Sequence, residues 1–238
     1  MLFSNSTYDL KKIHDDSFLA YTHLGLGDHI ICNGLINYFS KDFKLIFLPV
    51  KSRDLNNLEY LYKKNKKVKI FKIEHDTEVQ DIKSLAKKES IKILKVGFKK
   101  RKPPFNLSFY EQFNLSYDIS FDFFHVPENK KNEEELFEHL KKHYDIKSNY
   151  QLVHNQSSYG KVSLKTNPEL PIIFVDKETD IFKNIFLYRK VIENSSEIHC
   201  LDSSFLHLVE RVPTNGDLYF HKIKKDKQES AKVHLIKN

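Results

Sequence analysis

Along the first half of the chain, short β-prone apolar runs take turns with longer helix-like stretches, and this alternation limits the folds open to it more than any other feature. The apolar runs fall at 18–22, 44–50, 68–73 and 91–96, with helical patterns at 28–39, 54–64 and 78–88 between them. Strands that each hand over to a helix return through right-handed crossovers. The product is a parallel sheet covered by helices on both faces. A Pro-Pro pair, Pro103 and Pro104, interrupts the pattern, and an aromatic-rich segment with a short helix near 109–113 follows.

The second half repeats the logic in a shorter span. A charge-dense helix is expected over 132–143, with Asn132 as N-cap and three glutamates in its first turn, where the helix dipole favours them. Strands are expected at 150–154, 172–176 and 197–201, an amphipathic helix at 181–193 and another helix at 203–211. Strand-like pieces at 218–223 and 233–236 complete the chain. This reads as an α/β protein with two Rossmann-like parallel-sheet domains facing a cleft, the second reduced. The domains are 1–128 and 149–238, with 129–148 as a linking helix.

Composition narrows the class. Hydrophobic residues make up 40% and charged residues 30% of 238, which supports a packed core and argues against disorder. No run approaches the length of a membrane span, and no basic-then-apolar leader opens the sequence, so a cytoplasmic protein is expected. Cys32 and Cys200 lie in apolar contexts without CxxC spacing and read as buried thiols. The net charge of +7 comes mainly from lysines in 63–72 and from Lys99, Lys100, Arg101 and Lys102. Such clusters suit a solvated face, an anionic membrane surface touched peripherally, or a phosphorylated ligand. They lie on different expected elements and come with no nucleic-acid-binding motif, so no specific nucleic-acid partner is expected.

Two loops carry the chemistry. The first, Thr22-His23-Leu24-Gly25-Leu26-Gly27-Asp28-His29, lies between the first strand and the first helix. This is the carboxyl end of a strand, where doubly wound sheets bind ligands. Gly25 and Gly27 permit close backbone approach beside Leu26, and the helix start offers N–H groups. Asp28 stands there as a helix cap or as a catalytic base. The third glycine of a dinucleotide fingerprint is missing, since position 30 is Ile30. His23 and His29 flank the loop with no further ligand at metal-like spacing, so no metal is expected.

The second loop, Asp202-Ser203-Ser204-Phe205-Leu206-His207-Leu208, again joins a buried strand to a helix. Its Asp and two serines either cap that helix or form, with its N–H groups, a pocket for a diphosphate. His207 lies one turn beyond Ser203 on the same helix face. A third loop, His154-Asn155-Gln156-Ser157-Ser158-Tyr159-Gly160, follows the first strand of the second half. It reads as a polar turn, or as a donor-binding loop through His154, Gln156 and Ser158, looking across the cleft toward residues 25–28.

The pair Leu24-Gly25-Leu26-Gly27-Asp28 and Asp202-Ser203-Ser204-Phe205-Leu206-His207-Leu208, in this order, resembles the ADP-heptose:lipopolysaccharide heptosyltransferases and related GT-B glycosyltransferases. In that family a G-(L/I)-G-D loop carries the proposed general base, and a D-(T/S)-(G/S)-x-x-H-L loop holds the donor diphosphate. Where glycine is usual in that loop, this chain has Ser204. The resemblance implies transfer of a sugar, with inversion, from a nucleotide sugar to a glycan or lipid-linked acceptor. It implies Asp28 as base and no cofactor or metal. A non-catalytic nucleotide or sugar-phosphate binding module is the alternative.

Overall fold

The computed structural model describes residues 16–98, 105–157, 160–224 and 227–233. The chain divides after Pro127 into two compact units. In the first, β1 (Ser17–Tyr21), β2 (Leu45–Lys51), β3 (Val68–Ile73) and β4 (Lys92–Lys95) form one sheet in the order β3-β2-β1-β4, with every pairing parallel. Helices α1 (Leu26–Phe39), α2 (Leu55–Tyr62) and α3 (Glu78–Lys88) make the crossovers. The central strand β1 is apolar without alternation, and its Phe18, Leu19 and Ala20 are fully buried. A strand covered on both faces requires this.

Helix α1 is buried along most of its length, from His29 to Ile36 and again at Phe39. Gly34 allows this. A Cβ there would run into the backbone of Ile119 and Ser120, which belong to the short helix α5 (Ile119–Asp122). Tyr110, on α4 (Ser108–Glu111), donates its hydroxyl to the Ile31 carbonyl at 2.6 Å and accepts the Leu35 N–H at 3.2 Å. It thereby engages a carbonyl and an N–H that lie one turn apart on α1. Asn33 and Asn37, one turn apart on α1, tie down the segment after α5. Asn33 Oδ1 accepts the His125 N–H at 2.9 Å, and Asn37 Nδ2 donates to the Phe123 carbonyl at 3.0 Å.

In the second unit α6 (Lys130–His143) packs on α7 (Arg189–Glu193) and on a 3₁₀ turn, Ile185–Tyr188, by burying Leu136, Phe137 and Leu140. The sheet runs β11-β10-β9-β5-β8. Its strands β5 (Gln151–His154), β8 (Ile172–Phe174), β9 (Glu197–Leu201) and β10 (Asp217–Lys224) are parallel, while β11 (Lys227–Val233) returns antiparallel along β10. A two-stranded ribbon, β6 (Gln156–Ser157) with β7 (Gly160–Lys161), stands apart from the sheet. The reduction lies in the helices: α7 has 5 residues and α8 (Ser204–Val209) has 6.

Several expectations need correction. The N-cap of α6 is Asn129 and not Asn132: its side chain accepts the Asn132 N–H at 3.3 Å, and Glu133 reaches back to the Asn129 N–H at 2.8 Å. The helix expected over 181–193 breaks up because Asp180 competes for its backbone, accepting the N–H groups of Phe182 and Asn184. Asn184 then caps the 3₁₀ turn through the Phe186 N–H. The last strand begins earlier than expected and ends at Val233, and positions 234–236 lie outside the described residues. Lys99, Lys100, Arg101, Lys102 and the Pro-Pro pair also lie outside them. Both cysteines are buried thiols outside any disulfide.

Candidate functional site

Strand order places a candidate site in each unit. From β1 the first sheet builds outward through β2 to β3, and then β4 returns to the other flank of β1. The order reverses between β1 and β4, and a crevice opens outside the carboxyl ends of such a pair. The loops at that reversal are 22–25 and 96–98. In the second sheet β8 flanks β5 on one side and β9 on the other, so the reversal lies between β5 and β9. The loops there begin at His154 and Asp202.

At the first reversal Gly25 is the N-cap of α1, with extended backbone, and Asp28 is the third residue of the helix rather than its cap. Asp28 Oδ2 accepts the Gly25 N–H at 3.1 Å, which satisfies one of the N–H groups that a helix start leaves open. Gly25, Leu26, Gly27 and Asp28 are all half-buried. Leu24 takes a positive φ of 63°, and its N–H is held by Thr22 Oγ1 at 3.1 Å. His29, expected on the loop, is instead fully buried within α1. No hydrogen-bond partner meets either ring nitrogen among the described residues, and burial pushes its imidazole down to about 4.

The opposite wall of this reversal escapes sequence reasoning. Gln112 grips the end of β4, donating to the Lys95 carbonyl at 2.7 Å and accepting the Gly97 N–H at 2.9 Å. Gly97 has a φ of 84° and lies against the Phe109 ring, where any Cβ would collide. Its carbonyl faces His23 Nε2 at 2.9 Å. Nothing at 97 announces its contact with His23 locally, because the two positions are 74 residues apart.

At the second reversal Ser203 is the N-cap of α8, and its Oγ accepts the Leu206 N–H at 3.4 Å. Asp202 is exposed and Ser204 is the first helical residue, so capping falls to Ser203 alone. His154, at the end of the adjacent strand β5, brings Nδ1 to 3.1 Å from Ser203 Oγ and stacks on Phe205 with 5.4 Å between ring centroids. Burial pushes the His154 imidazole down to about 4, so it is neutral at physiological pH. Gln156 is exposed on the β6–β7 ribbon, and Ser158 lies outside the described residues. His207 is turned away toward Glu210, with Nδ1 3.2 Å from its carboxylate. The structure thus brings His154, Ser203 and Ser204 together and sets Gln156 and His207 to other tasks.

Among the described residues no group of three or more His, Cys, Asp or Glu side chains gathers as a metal-ligand set. A hollow of about 580 Å³ lies over the turn between β3 and α3, lined by His75, Thr77 and Lys83 among others. It belongs to an edge strand, and its Glu78 is already engaged by Tyr21 at 2.5 Å and Lys51 at 3.5 Å. No helix of the described residues is long and apolar enough to cross a membrane.

No protein-family model matches the chain, and no curated protein matches it in sequence. Among solved structures, the glycosyl transferase family 9 protein from Veillonella parvula DSM 2008 matches with a TM-score of 0.50 at 11% identity, over 89% of this chain and 81% of that one. At that identity the likeness is one of fold: this chain is an α/β protein of two Rossmann-like parallel-sheet units, GT-B-like in architecture.

Proposed function

We propose that the protein is a metal-independent glycosyltransferase that takes a sugar from a nucleotide-sugar donor to a glycan or lipid-linked acceptor. The observation that carries this reading is the coincidence of both motif loops with the strand-order reversals of their sheets. Asp28 stands at one and Ser203, Ser204 and His154 at the other. In this reading Asp28 takes the proton from the acceptor hydroxyl as that oxygen attacks the anomeric carbon of the donor. The C–O bond to the nucleoside diphosphate breaks, and the leaving diphosphate meets Ser203, Ser204 and the open N–H groups after Asp202. His154, neutral and hydrogen-bonded to Ser203, orients that hydroxyl. Basic residues in 63–72 suit an acidic acceptor or an anionic membrane carrying it.

One observation favours a second reading, a nucleotide or sugar-phosphate binding module without turnover: Asp28 already serves α1 by accepting the Gly25 N–H. A thermal-shift series with nucleoside diphosphates and nucleotide sugars tests binding, which both readings require, because a ligand held only by the folded state raises the melting temperature with concentration. Release of nucleoside diphosphate from the sugar that binds then separates enzyme from module. Absence of any shift, with salt-sensitive retention on DNA, would reject both.

A further inference from the structure

His23 is exposed, yet its ring is packed among aromatic side chains and hydrogen-bonded to the backbone. Its ring stacks on Phe98 with centroids 4.0 Å apart and planes at 22°, while Phe105 and Phe109 close around it at 5.1 and 6.0 Å. Its Nε2 lies 2.9 Å from the Gly97 carbonyl. A carbonyl oxygen only accepts, so Nε2 carries the hydrogen, and in the neutral ring Nδ1 keeps the lone pair. Among the described residues Nδ1 meets no donor. The anchor is rigid in turn, since Gln112 holds the Gly97 N–H and Phe109 lies beneath Gly97.

Beside this acceptor atom lies aromatic surface. Phe105 is 52% exposed, and among the described residues only Val79 and Ile181 are comparably exposed large hydrophobics. An isolated ring is far too small for a protein partner, which needs roughly 800 Å² per side. It does match one sugar ring, whose C–H-bearing face carries slight positive charge and lies well on the electron-rich face of an aromatic ring. The shelf sits at the β1–β4 reversal, where His23 belongs to the loop that leads into the helix carrying Asp28.

We propose that His23 and Phe105 form a recognition subsite for a pyranose ring of the acceptor, with Phe105 under the ring face and His23 Nδ1 accepting one ring hydroxyl. The inference rests on the glycosyltransferase reading for the word acceptor, but not for the binding of sugar. A hydroxyl that donates to Nδ1 satisfies the acceptor atom of the neutral ring, whereas a ring that lacks this hydroxyl, or a lipid chain, leaves it without a partner. The subsite therefore selects a carbohydrate by one hydroxyl and one apolar face.

The test applies the full chain, without donor, to a printed array of defined oligosaccharides, alongside His23→Phe and Phe105→Ala. The first variant keeps the aromatic stack and removes both nitrogens, and the second removes an exposed ring with little effect on folding. The parent is expected to retain a set of glycans sharing one hydroxyl configuration. Each variant should weaken the best of them about tenfold, the scale of one lost hydrogen bond or ring contact. Thermal shifts with ADP, UDP and GDP on the same samples report on the transferase reading separately. Glycan binding that depends on both residues, with no nucleoside diphosphate bound, would sink the transferase reading and leave the subsite standing. A parent that retains no glycan, or variants that retain glycans as tightly as the parent, would overturn the subsite.

Discussion

At Asp28 a structural and a chemical role separate on a single substitution. An asparagine side chain would still offer an oxygen to the Gly25 N–H, now accepted at 3.1 Å, but has no carboxylate to take a proton. Asp28→Asn is therefore expected to keep the fold and donor binding while lowering transfer by a factor on the order of 100 or more. Unchanged turnover would reduce Asp28 to a helix-start residue. Asn129→Ala removes the acceptor of the Asn132 N–H and should lower stability in urea unfolding by about 1 kcal/mol. His29 contributes to the pH dependence of stability. Its folded-state value of about 4 lies below the ordinary 6.5, so the unfolded chain binds its proton more readily. The stability tied to its neutral form is complete above pH 6.5 and is lost as the pH falls toward 4. A leucine here removes two buried nitrogens without partners, so His29→Leu should make the melting-temperature profile between pH 6.5 and 4 shallower. A profile as steep as the parent's would place the acid sensitivity elsewhere, as at His154, whose imidazole is depressed in the same direction.

The parallel strands were legible at the scale of elements because a buried parallel strand writes itself as a continuous apolar run, as β1 and β2 do. Helix 181–193 misled because its apolar spacing is helical while its backbone is claimed by side chains. Asp180 and Asn184 take N–H groups that a helix would have turned inward, and Lys183 is left at a φ of 51°. The glycine loop and the Asp-Ser-Ser loop could be read because turn and cap residues are local signals. The partners that complete them could not: His154 meets Ser203 across 49 residues, and Gly97 meets His23 across 74. Only the strand order makes these residues neighbours. Gly97 shows what such a position demands. With a positive φ and Phe109 against it, Gly97→Ala should cost roughly 1–3 kcal/mol, measured by chemical denaturation. Stability equal to the parent's would mean that the loop relaxes freely and does not hold the Gly97 carbonyl for His23.

For the molecule as a whole, the proposal divides labour between the units, with acceptor and base on the first and donor diphosphate on the second. In the proposed reaction positioned dipoles and hydroxyls, rather than a divalent cation, would meet the leaving group, so transfer should survive EDTA unchanged. Loss of activity on chelation, with recovery on adding Mn²⁺, would contradict that assignment. The most direct test of the central claim is calorimetry of nucleoside diphosphate binding to the parent and to Ser203→Val with Ser204→Val. The double variant removes two hydroxyls and crowds the start of α8 at the β5–β9 reversal, so affinity should fall at least about tenfold. Asp202→Asn, at an exposed position that does not cap α8, is the control and should bind nearly as the parent does. A double variant that binds the diphosphate as tightly as the parent would show that this loop is a capped helix start and not the donor site.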